Sequence, residues 1–321
     1  MKRFFIYSSF LLFIFLYLGC KSKTKSETEI TVEEKVPVKP YNTYKDAIVF
    51  KTLSMEFIGL DTIPSGWNTF KYMNRANETH FILLDKYPQG KTIEDGEKEI
   101  IPVFDKGMDL INEGNAEAGF AEFGKLPEWF PQIVFTGGSG LIAGGETSIT
   151  TLHLEPGYYV MECYVKMPNG KFHNAMGMVK ELIVIDEDSG NIEPKEDVEI
   201  AISNDAGIVI ADSLPKGQTV FKVTFKDQKL HENFVQTDIH LAEISDSVNL
   251  DALESWMDWA NPKGLITPVP EGVKFLGGIQ EMPAGKHGYF TADLRPGRYV
   301  LISEVPASKS KNLLKVFNVS D

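Results

Sequence analysis

The sequence predicts an all-β protein built from two tandem Greek-key β-sandwiches, each with a helical insert. Three observations predict this class: an internal repeat, many short strand-like segments bounded by Gly, Pro or Asn, and one stretch of near-helical apolar spacing within each repeat. The chain has 321 residues, a length that accommodates two ordinary domains.

The internal repeat consists of three pairs of matching segments. These are 61–70 with 212–221, 135–138 with 275–278, and 154–160 with 294–300. The first pair keeps an offset of 151, which also aligns His80 with His231, whereas the other two pairs keep an offset of 140. Several matches in the same order at two fixed offsets indicate that the two halves share one fold.

Within each copy, short segments rich in β-branched and aromatic residues alternate with turns. In the first copy these predicted strands are 69–74, 79–85, 148–154, 158–166 and 178–186. The spacing of apolar residues predicts a helical insert over 92–129 in the first copy and a shorter one over 250–259 in the second. The folded domains are expected to span 46–187 and 196–321, with an acidic junction between them.

The N-terminus has the pattern of a bacterial lipoprotein signal peptide, residues 1–19. Two basic residues precede an apolar run that is too short for a comfortable membrane span and ends in Gly19-Cys20. The segment resembles a lipobox, although Tyr17 stands where a leucine is usual. We therefore expect Cys20 to be lipidated and residues 20–45 to form a solvated tether; an ordinary signal peptide with a chance cysteine is the alternative.

The charge of the chain limits the classes of partner. The formal net charge is −13, and a nucleic-acid partner is not expected, because phosphate binding requires clustered Lys and Arg. An acidic surface suits small ligands, cations or a basic protein partner. With the lipid anchor, the sequence predicts a protein of the cell envelope, attached to a membrane and either facing the periplasm or at the outer membrane.

The cysteines raise a chemical question. There are only two, and if Cys20 carries lipid, Cys163 has no partner for a disulfide. A lone thiol in an oxidising compartment is explained by burial, by metal ligation or by catalysis.

A set of metal-ligand residue types surrounds Cys163. After it come nine residues, then His173, four more residues, and Met178. Upstream, His80 stands at the start of a predicted strand. Copper that changes between two oxidation states is held by two imidazoles and one thiolate in a plane, with a weak axial thioether, and these four residues supply that set.

The segment around Cys163 resembles the ligand loop of the cupredoxins, the superfamily of plastocyanin and azurin. The resemblance implies a cupredoxin-like sandwich with one type 1 copper held by His80, Cys163, His173 and Met178. The loop from cysteine to histidine is longer than in plastocyanin and is similar to the type 1 site of copper nitrite reductases. Met176 is the alternative axial ligand. Each histidine is expected to donate its other ring N–H to a neighbouring group.

The second copy serves as an internal control. Ser303 occupies the position of Cys163 at the offset of 140, and of the four ligand types only His231 remains. We therefore expect the second sandwich to be a cupredoxin-like domain without copper.

The function that the resemblance implies is electron transfer, with a redox partner protein. A copper carrier that exchanges copper with a donor or acceptor protein is one alternative, and a metal-free scaffold is another. We do not expect an enzyme, because Glu162 and Tyr164 flank Cys163 and supply no histidine for a second, catalytic copper.

Overall fold

Strands dominate the part of the chain that the computed structural model describes, residues 47–320. The predicted signal peptide, Cys20 and the tether up to residue 45 lie outside these residues. Among the described residues, no helix is both long and apolar enough to cross a membrane.

Each strand predicted in the first copy overlaps a strand of the structure, and the strand predicted over 158–166 ends at Glu162. The strands of the first copy are β1 (Ile48–Thr52), β2 (Thr62–Asn74), β3 (His80–Lys86), β4 (Val134–Ile142), β5 (Thr147–Leu154), β6 (Gly157–Glu162) and β7 (Val179–Asp188). Those of the second copy are β8 (Val198–Ser203), β9 (Gly207–Val209), β10 (Ser213–Pro215), β11 (Gly217–Phe225), β12 (Ile239–Ile244), β13 (Val273–Ile279), β14 (His287–Leu294), β15 (Gly297–Ile302) and β16 (Leu314–Ser320). The α-helices are α1 (Ile93–Glu99), α2 (Ile101–Asn112), α3 (Ala116–Glu122) and α4 (Leu250–Met257).

The strands form two sheets, and each copy contributes to both. One sheet runs β1-β2-β5-β14-β11-β8-β9, and the other runs β7-β6-β3-β4-β13-β12-β15-β16-β10. Strand β2 passes between them: its first residues pair with β7, and the stretch from Gly66 to Met73 pairs with β5. One hydrophobic core extends through both copies. The predicted fold class, all-β with two tandem sandwiches, is confirmed.

The helical inserts occupy the predicted places. Helices α1 to α3 connect β3 to β4, and α4 alone connects β12 to β13. Asn249 begins α4, since its side-chain oxygen accepts hydrogen bonds from the backbone N–H groups of Asp251 and Ala252. The first insert therefore has two more α-helices than the second.

The two copies are also joined through their sheets. Strand β4 pairs with β13, and β5 pairs with β14. The segment 189–197 between β7 and β8 contains no strand, consistent with the expected junction. The boundaries at 46–187 and 196–321 remain a prediction.

The alignment of His80 with His231 is wrong. Leu83 pairs with Gly138 and Glu162, whereas His240 pairs with Gly278 and Ile302. Both pairs of partners differ by 140, so Leu83 and His240 are equivalent. Three residues back along each strand, His80 is equivalent to Thr237. His231 instead precedes the 3-10 turn Glu232–Phe234, outside the sheet.

Candidate metal centre

The candidate ligands come from the ends of neighbouring strands. His80 is the first residue of β3, and Cys163 follows directly after β6, which pairs antiparallel with β3. His173 precedes the 3-10 turn Asn174–Met176, and Met178 precedes β7. Strand pairing thus brings His80 beside the loop that carries the other three residues.

Three donor atoms converge within the core. The Cys163 sulfur lies 3.8 Å from Nδ1 of His80 and 3.7 Å from Nδ1 of His173. The two Nδ1 atoms are 3.1 Å apart. The three side chains form a group whose donor atoms all lie within 4.8 Å of one another.

The dimensions of this triangle fit one metal ion. Zinc, for comparison, bonds thiolate sulfur at about 2.3 Å and imidazole nitrogen at about 2.0–2.1 Å, and three such bonds in one plane separate the donors by roughly 3.5–4 Å. The two sulfur–nitrogen separations of 3.8 and 3.7 Å lie in this range, and the nitrogen–nitrogen separation of 3.1 Å is shorter, as a narrower angle between the two nitrogens would give. One thiolate with two imidazoles is also the donor set that copper takes in electron-transfer sites.

Burial keeps the three side chains uncharged when they hold no metal. All three are fully buried. Burial, together with the charge of His173, lowers the pKa of His80 to about 3, and burial lowers the pKa of His173 to about 4. Burial also raises the pKa of the Cys163 thiol to about 12. A metal ion that binds here must therefore displace the thiol proton.

The Nε2 atoms of the two imidazoles lack the hydrogen bonds that we expected. Nε2 of His80 and Nε2 of His173 are buried, and neither has a hydrogen-bond partner among the described residues. The expected N–H donation to a neighbour is therefore not observed. Each ring has its Nδ1 atom near the Cys163 sulfur instead, at 3.8 Å for His80 and 3.7 Å for His173.

Backbone groups fix the position of the sulfur and of the ligand loop. The N–H groups of Phe81 and Val165 donate hydrogen bonds to the Cys163 sulfur. The N–H of Met178 donates to the carbonyl of His173 at 2.9 Å, and the N–H of Cys163 reaches the carbonyl of Met178 at 3.4 Å. The loop is thus closed onto the end of β6 by its own backbone.

The two methionines differ in position. Met178 is fully buried, whereas the Met176 side chain is 49% exposed. Between them, Gly177 has a φ of 98°, in the left-handed region that favours glycine. The resulting turn directs the chain from the surface at Met176 to the core at Met178, so Met178 is the better candidate for an axial ligand.

A buried lysine was missed by sequence analysis. Lys166 is fully buried, and its Nζ donates to the carbonyls of Trp259 at 2.8 Å and Asn261 at 2.7 Å. Burial lowers its pKa to about 7, although the charge of Asp258 opposes this shift. Lys166 thereby joins the ligand loop to the second copy. No local pattern signalled this contact, because its partners lie more than ninety residues away.

The second copy repeats the backbone of the site without its donors. The N–H groups of Asp238 and Val305 approach the hydroxyl of Ser303 at 3.5 and 3.3 Å, as those of Phe81 and Val165 approach the thiol. The N–H of Ser303 donates to the carbonyl of Leu313, whose own N–H donates to the carbonyl of Ser308. The residues that replace the four candidate ligands are therefore Thr237, Ser303, Ser308 and Leu313.

A second group of metal-ligand residue types, Asp238, His240 and Glu304, is a hydrogen-bond network instead. The N–H of Leu141 donates to Nδ1 of His240 at 2.9 Å, so the ring proton of the neutral imidazole is on Nε2. That N–H donates to the carboxylate of Asp238. Tyr164 in turn donates to Glu304 at 3.1 Å. Both ring nitrogens of His240 therefore have hydrogen-bond partners within the protein.

Comparisons with known proteins give similarity to solved structures alone. No protein-family model and no curated protein matches the chain. Among solved structures, auracyanin B is 24% identical, with a match covering 40% of this chain and 94% of that chain and a TM-score of 0.28.

Two further solved structures resemble the chain. Auracyanin A, a blue copper protein from Chloroflexus aurantiacus, is 21% identical, covers 43% of this chain and 98% of its own, and has a TM-score of 0.27. The copper-containing nitrite reductase from Thermus scotoductus SA-01 is 11% identical, covers 85% of this chain and 58% of its own, and has a TM-score of 0.21. At TM-scores this low, the candidate site is judged by its own donor atoms.

Proposed function

We propose that this protein binds one copper ion of the type 1 class in its first sandwich and transfers electrons. The observation that carries the proposal is the convergence of one sulfur and two Nδ1 atoms, from Cys163, His80 and His173, on a single buried point. Met178, which is fully buried and follows His173 in the ligand loop, is the proposed axial ligand. When bound, copper would supply a one-electron couple between its two common oxidation states.

The residues of the chain have distinct parts in this function. Cys163 supplies the thiolate, whose overlap with copper is the source of colour and the route for electrons. His80 and His173 are fixed by strand pairing and by the closed ligand loop, so the donors are held in place before and after a change of charge. The N–H groups of Phe81 and Val165 hold the sulfur lone pairs and are expected to tune the reduction potential.

Burial of the donors favours electron transfer over copper delivery. A carrier exchanges its metal with a partner, and exchange proceeds through exposed donor atoms. Here Cys163, both histidines and Met178 are fully buried. Met176 is the exposed methionine beside the loop and is the feature that would suit the carrier function. Electron transfer, unlike exchange of ions, does not need an open path to the metal. We further propose that a redox partner protein docks at the surface near Met176.

The same burial argues for a carrier of electrons rather than an enzyme. A substrate that reacted at this metal would need a free coordination position facing solvent. The three converging side chains are fully buried, and the flanking residues Glu162 and Tyr164 supply no imidazole for a second copper.

The visible spectrum tests the proposed function. Purified protein is titrated with Cu(II), and we expect one equivalent to give an intense thiolate-to-copper band, with Met176→Leu as a matched control that keeps the band. Tight binding of Cu(I) without such a band would favour copper delivery. Absence of stoichiometric binding would favour a metal-free scaffold, and either result contradicts the proposal.

We also propose that the protein is a lipoprotein of the cell envelope, anchored through Cys20. The support is the apolar run that ends in Gly19-Cys20 and the polar tether that follows. Stable anchoring generally requires two acyl chains, so Cys20→Ala should release the protein into the soluble fraction. Labelling with a fatty acid decides the matter, because an unlabelled wild-type protein would contradict the proposal.

A further inference from the structure

A cavity lies beside the ligand loop, and none of the four candidate ligands lines it. Glu162 and Tyr164 flank Cys163 in sequence. Both line a cavity of about 90 Å³. Its other walls are the helical insert of the first copy and the loop that contains Phe234 in the second.

Three carboxylates line this cavity, and two of them have a free oxygen. Asp85 is 4% exposed and Glu281 is 2% exposed, yet Oδ1 of Asp85 and Oε2 of Glu281 have no hydrogen-bond partner. The third, Glu162, accepts a hydrogen bond from the side-chain amide of Asn174 at 2.9 Å. Buried carboxylate oxygens are normally paired, so the two free ones indicate a missing partner.

The missing partner carries positive charge and hydrogen-bond donors. No Lys, Arg or His lines the cavity among residues 47–320. Burial, together with the charges of neighbouring carboxylates, raises the pKa of Asp85 and of Glu281 well above the usual range. A cation between the two free oxygens would remove this cost of burial.

The remaining walls are aromatic, which favours an organic cation over a metal ion. Phe104 lies 5.8 Å from both Phe130 and Trp259, measured between ring centroids, and Trp259 lies 5.8 Å from Phe172. Aromatic faces attract ammonium groups and pack against apolar carbon. Hard divalent cations require six or more oxygen ligands, which aromatic walls do not supply.

We propose that this cavity is a binding site for a small organic cation, namely a primary ammonium with an apolar body. The ammonium N–H groups donate to Oδ1 of Asp85 and Oε2 of Glu281, and the apolar body packs against the aromatic walls. Phe130 and Asn233 line the cavity and are half-buried, so part of its wall reaches solvent. The proposal does not depend on copper, since none of these contacts involves a metal ligand.

The site nevertheless adjoins the candidate metal centre through the chain. Glu162 and Tyr164 flank Cys163 in sequence, and Phe172 and Asn174 flank His173. A ligand in the cavity therefore contacts the sequence neighbours of two proposed copper ligands. Occupancy of the cavity can affect the positions of these two ligands.

The test uses benzylamine as the ammonium probe and benzyl alcohol as its uncharged counterpart. Each is titrated into the purified full-length protein, and binding is measured by calorimetry. We expect benzylamine to bind saturably at one equivalent and the alcohol to bind about tenfold more weakly or less, since hydrogen bonds to charged groups are the strong ones. Equal binding of the two probes, or no saturable binding of benzylamine, would overturn the proposal.

Variants locate the bound probe. Glu281→Gln and Asp85→Asn should each weaken benzylamine binding about tenfold, whereas Glu128→Gln, which removes the same charge from an exposed position, should not. Equal affinity in Glu281→Gln and in the wild type would place the probe elsewhere and overturn the proposal. If a cavity variant fails to fold, the comparison of amine with alcohol on the wild type still decides.

Calcium chloride is the competing probe. We expect it to leave benzylamine binding unchanged at an ionic strength matched with sodium chloride. A calcium ion that binds at one equivalent and excludes benzylamine would assign the cavity to a metal ion and overturn the proposal.

Discussion

The two sandwiches share one backbone arrangement, but only the first has metal-ligand side chains on it. The N–H of Met178 bonds to the carbonyl of His173 in the first copy, and the N–H of Leu313 bonds to the carbonyl of Ser308 in the second. The chain therefore forms this backbone arrangement whether or not metal-ligand side chains are present. The backbone arrangement is a property of the fold, whereas metal binding depends on a few side chains attached to it.

The copies differ in loop length as well as in side chains. Ten positions separate Cys163 from His173, but only five separate Ser303 from Ser308. The longer loop of the first copy reaches the second copy through Lys166, whereas the equivalent position in the shorter loop is Pro306. The residues of the second copy thus suggest which substitutions the first will tolerate.

The largest effect is expected for Cys163→Ser, which introduces the residue of the second copy. A hydroxyl can accept the N–H groups of Phe81 and Val165, as Ser303 accepts those of its own copy, so the variant should fold. It should lose the thiolate-to-copper band entirely, because no other thiol lies among residues 47–320. Absorption spectra after copper addition test this, with circular dichroism as the check of folding. A band that persisted would refute the type 1 assignment.

The reverse substitution tests whether a thiol alone allows the second copy to bind copper. Ser303→Cys places a thiol in the second copy, but Thr237 and Ser308 supply no imidazole beside it. We expect no additional copper band and no more than one copper per chain, measured by metal analysis. A second intense band would show that the lack of histidines is not what prevents copper binding in the second copy.

The next largest effect is expected for His173→Gly. Removal of one imidazole from the proposed plane should weaken copper binding by about 100-fold or more, since even changes around the ligands cost 10–100-fold. Added imidazole should restore part of the visible band by entering the space left by the side chain. His153→Gly, on β5, is the matched control and should keep full copper binding. Unchanged copper affinity of His173→Gly, or an equal loss of affinity in His153→Gly, would contradict the assignment.

A smaller effect, on stability, is expected for Lys166→Met. The change leaves the carbonyls of Trp259 and Asn261 without their donor and should lower the free energy of unfolding by about 2 kcal/mol. Because the folded pKa of Lys166 is lowered to about 7 from its ordinary 10.5, its contribution is present above about pH 10.5 and is lost as the pH falls through 7.

The wild type should therefore gain stability over Lys166→Met between pH 7 and pH 10. Urea unfolding at pH 6 and pH 9 measures both effects. Lys171→Met, in the same loop but paired with Asp105 and Asp109 near the surface, should show a loss that depends little on pH. A loss for Lys166→Met that was larger at pH 6 than at pH 9 would contradict the stated direction.

Local signals made much of the fold predictable. The strand segments bounded by Gly, Pro or Asn and the near-helical inserts depend on neighbours in sequence. The alignment of His80 with His231 was wrong because the two histidines are separated by the same offset of 151 as the first pair of repeat segments, although they are not equivalent in the fold. Only strand register revealed Thr237 as the equivalent residue. The cavity and the burial of Lys166 depend on contacts between distant segments, and no local pattern encodes these.

The smallest effect is expected for Met178→Leu, which again introduces the residue of the second copy. Met178 is fully buried and Leu313 occupies the equivalent position, so leucine should fit without a cavity. A weak axial thioether contributes little to affinity, and the variant should keep its copper and its colour. The reduction potential should rise, because loss of a donor destabilises the oxidised ion more than the reduced one. A tenfold change in the relative affinity for the two ions corresponds to about 59 mV, and we expect a rise of that order in voltammetry. Met176→Leu, at the exposed position two residues earlier, should leave the potential unchanged. If Met176→Leu shifts the potential and Met178→Leu does not, the axial ligand is Met176, and the burial of Met178 was not a valid reason to assign it.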